Sequence, residues 1–486
     1  MNKNIVVIET KPYYPNYPYS PHTVYPEFKH VSQNISSDYN PVYEGIRNLL
    51  YFLGLDEKNF GKEEWNPFHE FINCGDTVVI KPNWVMDYNP VENDLNSLIT
   101  HTAVIRPIID YVLKALNYKG RIIIGDAPLQ KCDFDNLLEK SGMKKLLECY
   151  KKTYKDVEFI IEDWRITLLS EKKYYKKQFI HSSLDNYILF DLGNESFLEE
   201  IAEYSENFRV TCYDPYLMRQ HHKKGKHEFL ITKRIRDADF FINLPKFKTH
   251  IKTGLTGALK NLIGLNGHKE FLPHHIKGSY LEGGDNYLCS SFLKKIYENF
   301  DDYIWHNINR KRKIFNIINF QILKILWWLW NLFSKDKIYA GSWSGNETIW
   351  RTILDLNHIF YFFDFSSNSF KDIPCRKSIT IVDGIIAGEG EGPLLPKSKR
   401  LGIIIGGFNP SIIDAVMARI IGYNISRIPL VYNALFNIKS KFCLHKNEKI
   451  YIKWCRENKY EFKDLNSIPS YNFLVPKYWR RALSKI

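Results

Sequence analysis

Several common signatures of cofactor binding are missing from this chain of 486 residues. It contains no GxxxxGK[ST] phosphate loop and no GxGxxG dinucleotide fingerprint, so the sequence gives no support for ATP or NAD binding. Its eight cysteines form no CxxC pair and are irregularly spaced, which argues against a zinc ribbon, an Fe–S cluster or a disulfide framework. Scattered thiols of this kind fit the reducing cytosol.

Long apolar stretches are scarce as well. The first residues, MNKNIVVIETKPYYP, contain no long apolar segment, which predicts no secretory signal. One hydrophobic segment, Ile314–Phe333, has the length of a membrane span and follows the basic run Asn309–Lys313. The polar residues within it fall on about half of a helix circumference, which predicts a helix in the membrane interface. Packing on the protein body or in a dimer contact, and a true span, are the alternatives. The polar residues are Asn316, Asn319, Gln321, Lys324 and Asn331.

Basic residues outnumber acidic ones, and the net charge is +13. This surplus favours acidic partners such as phosphorylated ligands or an anionic membrane surface, although a generally lysine-rich composition would give the same surplus. No RRM, KH or aromatic–basic motif accompanies it, so nucleic acid is not an expected partner. Hydrophobic residues make up 44% of the chain, which is enough to fill a core.

Apolar strands alternate with amphipathic helices along most of the chain. Continuous apolar strands between helices are typical of a parallel sheet covered on both faces. The sequence therefore predicts an α/β fold with a mostly parallel, Rossmann-like sheet, while Leu168–Leu230 is expected to form an antiparallel excursion. Tyr13–Phe28, rich in Pro and Tyr, is expected to be a surface loop or a lid. The predicted strands are Ile5–Glu9, Asp76–Ile80, Arg121–Ile124, Val157–Ile161, Phe240–Leu244, Ser378–Val382 and Leu401–Ile405, and the main predicted helices are Tyr43–Leu53, Thr100–Leu116, Phe134–Tyr150, Thr256–Ile263 and Ser411–Ile421.

Polar residues stand where three of the predicted strands end. Lys81 and Asn83 follow one strand, Asp126 follows the next, and Asn243 and Lys246 flank the end of a third. Ligands of parallel α/β sheets bind beyond the carboxyl ends of the strands, where loops and helix N-termini meet. Each residue alone could serve a turn or a cap, but their common position favours a substrate site, with Asp126 in a catalytic role.

The segment that follows the third strand carries further cations. Its ammonium groups, hydroxyls and glycine amides stand ahead of a predicted helix, and they suit a phosphate or a carboxylate. Together with the strand-end residues, we expect them to bind a small or lipid-linked anionic substrate. These residues are Lys248, Thr253, Gly254, Lys260 and Asn261.

Histidines and one further acid complete the predicted site. His250 and His268 are expected to move a proton, whereas His274 and His275 are expected to shape a loop. Asp383 follows the Ser378–Val382 strand and begins a glycine-rich loop, so it is expected to act as an acid or base or to bind a cation. A divalent metal is left open.

Six motifs together resemble the DUF362 family. They are VVIKPNWV at 78–85, THTAVIRPIIDYVL at 100–113, IIIGDAP at 122–128, DADFFINLPKFKTHIKTGLTGALKNLIGL at 237–265, VDGIIAGEGEGP at 382–393 and FNPSIIDAVMARIIGY at 408–423. Some members of the family carry ferredoxin-type cysteine clusters, which this chain lacks. Members of this type occur beside cell-surface polysaccharide genes, and the resemblance implies no particular reaction.

The resemblance implies a division of the chain. An N-terminal part (1–70) holds a strand, the Pro/Tyr loop and a helix, and the α/β domain occupies 70–280 and 372–425. An insertion at 281–371 carries the hydrophobic helix 314–333, and 426–486 is an extension. Because family motifs lie on both sides of that helix, a single span would place two halves of one sheet on opposite sides of a bilayer. The helix is therefore expected to lie on a surface.

Two functions remain open at this level. The first is an enzyme acting on an anionic substrate, set in cell-envelope polysaccharide metabolism. The second is a non-catalytic, membrane-associated scaffold or partner protein. Either is expected in the cytoplasm, with attachment to the inner face of the membrane as an alternative, and the sequence predicts no oligomeric state.

Overall fold

Eleven strands within the described residues form one mixed sheet at the centre of the molecule. The computed structural model describes residues 2–29, 35–170, 176–179, 184–310, 313–444, 450–457 and 459–484. The strands are β1 (Ile5–Glu9), β2 (Thr77–Pro82), β3 (Gly120–Asp126), β4 (Val157–Asp163), β5 (Thr167–Ser170), β6 (Lys176–Phe179), β7 (Tyr187–Asp191), β8 (Phe208–Arg209), β9 (His222–Lys223), β10 (Lys226–Thr232), β11 (Phe240–Leu244), β12 (Lys246–His250), β13 (Gly254–Thr256), β14 (His275–Ile276), β15 (Phe363–Asp364), β16 (Ser369–Phe370), β17 (Ser378–Glu391), β18 (Leu395–Gly407), β19 (Tyr451–Arg456) and β20 (Lys459–Asp464).

The order across the sheet is β20-β19-β1-β18-β17-β11-β2-β3-β4, with β12 on β17 and β13 on β12. The pairs from β17 through β11, β2 and β3 to β4 are parallel, as are β1–β19 and β12–β17. The pairs β1–β18, β17–β18, β12–β13 and β19–β20 are antiparallel. The predicted mostly parallel α/β sheet is therefore confirmed. The predicted antiparallel excursion is also confirmed, as the β7-β10-β9 sheet and the β5–β6 pair.

Helices cover both faces of the sheet because its strands are apolar on both sides. In β2, Val78 and Ile80 pack with the first two helices, whereas Val79 packs on the opposite face with α10. The helices are α1 (Pro41–Phe52), α2 (Thr102–Ala115), α3 (Phe134–Lys140), α4 (Met143–Thr153), α5 (Pro215–His221), α6 (Arg234–Asp237), α7 (Ala258–Asn261), α8 (Phe292–Asn307), α9 (Lys313–Phe333), α10 (Ile349–Phe362), α11 (Pro410–Ile421) and α12 (Pro429–Phe436).

Three local predictions differ from the structure. The predicted helix Phe134–Tyr150 is two helices, because Gly142 adopts a left-handed φ of 74° between α3 and α4. The predicted helix Thr100–Leu116 begins later, at Thr102, because the side chain of His101 caps α2 by accepting from Ala103 N. The predicted glycine-rich loop that begins at Asp383 is the second half of β17 and pairs with β18.

The insertion contributes a helical hairpin and one buried helix. Helices α8 and α9 run antiparallel, because Trp305 near the end of α8 contacts Phe320 near the start of α9, and Tyr297 contacts Trp330. Helix α10 is buried against α7 and α12. No helix in the described part of the chain is both long and apolar enough to cross a membrane.

Candidate functional site

The side chains at the ends of β2 and β3 form a buried ion pair. Lys81 Nζ lies 2.7 Å from Asp126 Oδ1, and both side chains are almost wholly buried. The same carboxylate accepts from Trp84 N at 2.7 Å and from Ala127 N at 2.8 Å. Burial lowers the pKa of Lys81, and Asp126 offsets part of that effect. Three donors thus fill most of the acceptor positions of Asp126 and leave little capacity to hold a metal ion.

A chain of amide side chains links this pair to the neighbouring strands. Asn261 Nδ2 donates to Asn243 Oδ1 at 2.7 Å, and Asn261 Oδ1 accepts from Asn83 Nδ2 at 2.9 Å. Asn243 in turn donates to Ala258 O at 3.0 Å, which fixes the start of α7. These three predicted binding residues are brought together, but they mostly bind one another and hold α7 over the sheet edge.

Gly264 allows the close approach of the next segment to the ion pair. A Cβ built at this position would lie 1.9 Å from Asp126 Oδ1 and 2.7 Å from Lys81 Nζ. Only glycine leaves room for the pair at this distance. The requirement is one of space, because Gly264 is not among the residues with positive φ.

A second buried ion pair joins β12 to β17. Lys246 Nζ lies 2.9 Å from Asp383 Oδ2, and both side chains are wholly buried. Tyr14 OH donates to Asp383 Oδ1 at 2.7 Å, and His101 N donates to Oδ2 at 2.9 Å. Burial, followed by the charge of Asp383, raises the pKa of Tyr14 well above its ordinary value. The Tyr13–Phe28 segment therefore reaches into the structure through Tyr14 and is not a simple surface loop.

Strand β12 presents its basic side chains on one face. Lys246, Lys248 and His250 alternate with Phe247 and Thr249, and Phe247 points into an apolar cluster. The buried Lys248 ammonium donates to Leu98 O at 2.6 Å and has no carboxylate partner among the described residues. Burial, together with nearby lysines, lowers its pKa well below the ordinary value.

The ammonium groups of Lys252 and Lys260 stand out because neither has a close partner within the described residues. Within the part of the chain that the structure describes, neither ammonium has a hydrogen bond or an ion pair. Both side chains are half-buried. Burial and then the charges of Lys252, Lys269 and Lys81 lower the pKa of Lys260 to about 7. Burial lowers the pKa of Lys252 to about 8, and the charge of Asp285 offsets part of that effect. Two repelling ammonium groups are thus held where water screens them poorly.

Lys269 and two histidines complete this group. Lys269 is buried, and burial lowers its pKa to about 8. His250 and His274 both feel the charges of Lys252 and Lys260, and burial lowers the pKa of each imidazole well below its ordinary value. We call Lys252, Lys260, Lys269, His250 and His274 the cationic cluster.

The imidazole of His250 is oriented by the turn that follows β12. Its Nδ1 lies 3.0 Å from Lys252 N and 3.3 Å from Thr253 N, so it accepts from both amides. A neutral ring in this arrangement carries its proton on Nε2, which has no partner among the described residues. His250 is therefore suited to donating a hydrogen bond to a ligand rather than to acting as a base.

His268 and His275 have further contacts of their own. His268 Nδ1 is 2.6 Å from Glu270 Oε2, and its ring packs edge-on against Phe271. His275 lines a small cavity of about 20 Å³ with Arg209 and Tyr339. Burial and then the charges of Lys252 and His274 lower the pKa of His275, so both adjacent histidines lie near the lysines of the cluster.

The N-terminus of α7 is already occupied by a carboxylate of the protein. Asp414 accepts from Ala258 N at 2.6 Å and from Leu259 N at 3.1 Å. Thr253 donates within its own turn, and Gly254 adopts a φ of 81° against Trp479. The amides of Ala258 and Leu259 at the start of this helix are therefore not free for the anion that the sequence suggested. The cations beyond them are the available groups.

Other features of the chain support or surround the cluster. Asn346 donates to His274 O at 2.9 Å, and Asn357 donates to Leu259 O at 2.9 Å, so the insertion holds the loops of the site. No three His, Cys, Asp or Glu side chains in the described ranges converge as a metal site requires. A cavity of about 750 Å³ lies at the C-terminal extension, between Arg427 and Arg480, and includes no cluster residue.

Sequence reasoning missed four of the residues that the structure places in these groups. Lys252 and Lys269 belong to the cationic cluster, and Tyr14 and His101 contact Asp383. The alternation KFKTHIK could have pointed to Lys252, because it continues a run of basic residues. No local signal marks Tyr14, which lies 369 residues from Asp383.

One comparison with known proteins, a match to a sequence profile, agrees with the sequence resemblance. The sequence profile described as "Domain of unknown function (DUF362)" matches residues 78–190 and 194–419. A search of curated proteins finds no match. A crystal structure of a Thermotoga maritima protein is similar at 11% identity and a TM-score of 0.32, covering 74% of this chain. The alignment spans 53% of the length of that protein. On the extent of the profile match, the chain belongs to the DUF362 family.

Proposed function

We propose that the cationic cluster binds a small anion carrying more than one negative charge. The observation behind the proposal is that Lys252 and Lys260 have no protein partner, although the surrounding protein lowers the pKa of both. Buried charges are usually paired, because an unpaired charge is costly to remove from water. An anionic ligand would supply the missing partner.

Phosphate-type groups fit the available donors best. The cluster offers separate ammonium point charges and the Nε2–H of His250, which are donor types that suit the oxygens of a tetrahedral phosphate. The charge of one guanidinium, that of Arg165, acts on Lys269 of the cluster. Arg165 is already bound to Asp163 at 2.5 Å and to two backbone carbonyls. This guanidinium is therefore not available to bind a ligand carboxylate through two parallel hydrogen bonds. We infer a phosphate or pyrophosphate group as the anionic part of the ligand.

Lys260 is the group best suited to proton transfer if the bound anion is a substrate. Its pKa of about 7 lets both protonation states exist near neutrality, which general acid–base catalysis requires. If the protein is an enzyme, His250 orients the anion, and the ion pairs of Asp126 and Asp383 keep the loops in place. A cell-envelope polysaccharide substrate stays an expectation from the resemblance.

A second candidate function is that of a non-catalytic, membrane-associated partner protein. One observation favours it: helix α9 leaves a broad apolar side exposed. In that case, deletion of Ile314–Phe333 would remove function in a complementation assay, while Lys252→Met and Lys260→Met would not. The anion-binding proposal expects both point variants to fail in the same assay.

Calorimetric titration tests the anion-binding proposal directly. Inorganic phosphate, pyrophosphate and sulfate are titrated into the full chain and into Lys252→Met and Lys260→Met. Lys397→Met, at an exposed lysine of β18, is the matched control. We expect wild type and control to bind pyrophosphate most tightly and both cluster variants to lose most of the affinity. Equal binding by all four proteins would refute the site.

A further inference from the structure

Helix α9 turns its apolar side away from the protein. Eight apolar side chains lie within about 140° of the helix circumference at 100° per residue, and their exposed fractions run from 40% for Ile322 to 69% for Phe333. An exposed apolar patch of this extent marks an interaction surface. We call it the α9 face; it consists of Ile314, Phe315, Ile318, Ile322, Ile325, Trp328, Leu332 and Phe333.

The opposite side of the helix holds it on the hairpin. Asn316, Leu323 and Trp330 are buried, and they recur at seven-residue spacing on the side that faces α8. Asn316 Nδ2 donates to Ile308 O at 2.8 Å. The sequence placed Asn316 on the polar, outward side, but the structure buries it. Packing against the rest of the protein therefore buries only a narrow stripe of α9 and leaves the α9 face uncovered.

The apolar surface continues at the open end of the hairpin. Ser291 Oγ lies 3.0 Å from Ser334 Oγ, which places the start of α8 beside the end of α9. Leu288 and Phe292, close to this junction, are both exposed. Exposed apolar residues from two separate segments thus lie at the same end of the hairpin.

Positive charge borders the α9 face. Helix α9 contains no acidic residue, and the chain reads RKRK at 310–313 just before its first turns. Lys311 and Arg312 lie outside the described residues, while Arg310, Lys324 and Lys335 are exposed. An apolar helix face bordered by cations is complementary to a bilayer with anionic headgroups.

We propose that the α9 face docks on the surface of an anionic bilayer, with α9 lying along the membrane plane. The bordering cations favour this occupant over a second copy of the chain, because lysine is depleted at protein–protein interfaces, whereas it reaches headgroups readily at a bilayer. The proposal deepens the membrane-associated candidate by naming its surface and its lipid. It uses none of the residues of the cationic cluster.

Vesicle cosedimentation of the full chain tests this surface. The vesicles are phosphatidylcholine alone or phosphatidylcholine with phosphatidylglycerol. We expect wild type to sediment with the anionic vesicles and the double variant Ile325→Glu with Trp328→Glu to bind about tenfold more weakly or worse. A neutral pair, Ile318→Ser with Leu332→Ser, should also weaken binding. Ile438→Glu, at an apolar residue exposed to 97%, is the matched control and should bind like wild type.

Several results would overturn the assignment. These are no binding by wild type, equal binding to both kinds of vesicle, and full binding by the two α9 variants. Light scattering that showed a wild-type dimer, dissociated by the α9 variants, would assign the face to a second copy instead. Pyrophosphate titration of the same variants separates the two proposals, because α9 variants should keep anion affinity and Lys260→Met should keep vesicle binding.

Discussion

Two sets of lysines near the sheet edge differ in whether a carboxylate of the protein neutralises their charge. Lys81 and Lys246 are wholly buried, and each lies within 3 Å of a buried carboxylate, at 2.7 and 2.9 Å. Lys252 and Lys260 have no carboxylate or hydrogen-bond partner among the described residues. Lysine at a strand end is therefore not a sufficient sign of ligand binding. The paired set stabilises the arrangement of strands and loops, and the unpaired set is available to an anion.

Breaking one of the paired lysines gives the largest expected effect. Lys246→Ala would leave the buried Asp383 carboxylate without its cation, which costs about 3–5 kcal/mol of unfolding free energy. Lys81→Ala should cost a similar amount through Asp126. Urea unfolding measures both, with Lys397→Ala as control. A loss of less than about 1 kcal/mol, the range of exposed ion pairs, would show that the pairs do not stabilise the fold.

Replacing an unpaired lysine should separate binding from stability. Lys260→Met removes a repelled charge, so the unfolding free energy without ligand should not fall. Loss of one charge-assisted contact should weaken pyrophosphate binding by about 1.5–3 kcal/mol, or roughly 10–150-fold. Calorimetry and urea unfolding of the same preparation report both quantities. A destabilised variant with unchanged affinity would reverse the roles of the two sets.

A methyl group placed against one of the paired lysines should lower the free energy of unfolding. In Gly264→Ala the new methyl group would fall on the Lys81–Asp126 pair, and relieving that overlap should cost about 1–3 kcal/mol. Gly61→Ala is not a clean control, because Gly61 has a φ of 80°. Ile420→Val, at a wholly buried apolar position elsewhere, controls for a one-methyl change in the core. Equal stability of wild type and Gly264→Ala would mean that the protein has room for a methyl group between Gly264 and the ion pair.

The pH dependence of anion binding should follow the unpaired set. Their pKa values of about 7 and about 8 mean that Lys260 and then Lys252 lose their charge as the pH rises. Sulfate affinity should therefore be full below about pH 7 and fall by about tenfold or more towards pH 9. Sulfate keeps its own charge over this range. In Lys260→Met the decline should be smaller, and an identical profile would point to other groups.

Stability without ligand should show the opposite trend with pH. The unfolded chain keeps its lysines protonated up to about 10.4, whereas Lys260 in the folded protein releases its proton near 7. The unfolded state then binds more protons between these values, so the contribution of this group to stability rises with pH across the window. Urea unfolding at several pH values, compared between wild type and Lys260→Met, isolates this contribution.

The local pattern of the chain predicts the strands and the kind of residue at their ends. The strand Phe240–Leu244 has the predicted bounds, because the short apolar run determines where the strand begins and ends. The partners of the strand-end lysines lie 45 and 137 residues away, so no local spacing reveals which lysines are neutralised. For the same reason, Asp414 at the start of α7 could not be foreseen from the sequence around that helix.

Urea unfolding of Lys260→Met, with and without saturating inorganic pyrophosphate, tests the division into paired and unpaired lysines most directly. A ligand that binds only the folded state stabilises it by an amount that grows with ligand concentration over Kd. We predict that wild type gains stability on adding pyrophosphate, while Lys260→Met starts at least as stable and gains little. A variant that starts several kcal/mol less stable, or that gains as much as wild type, would contradict this account.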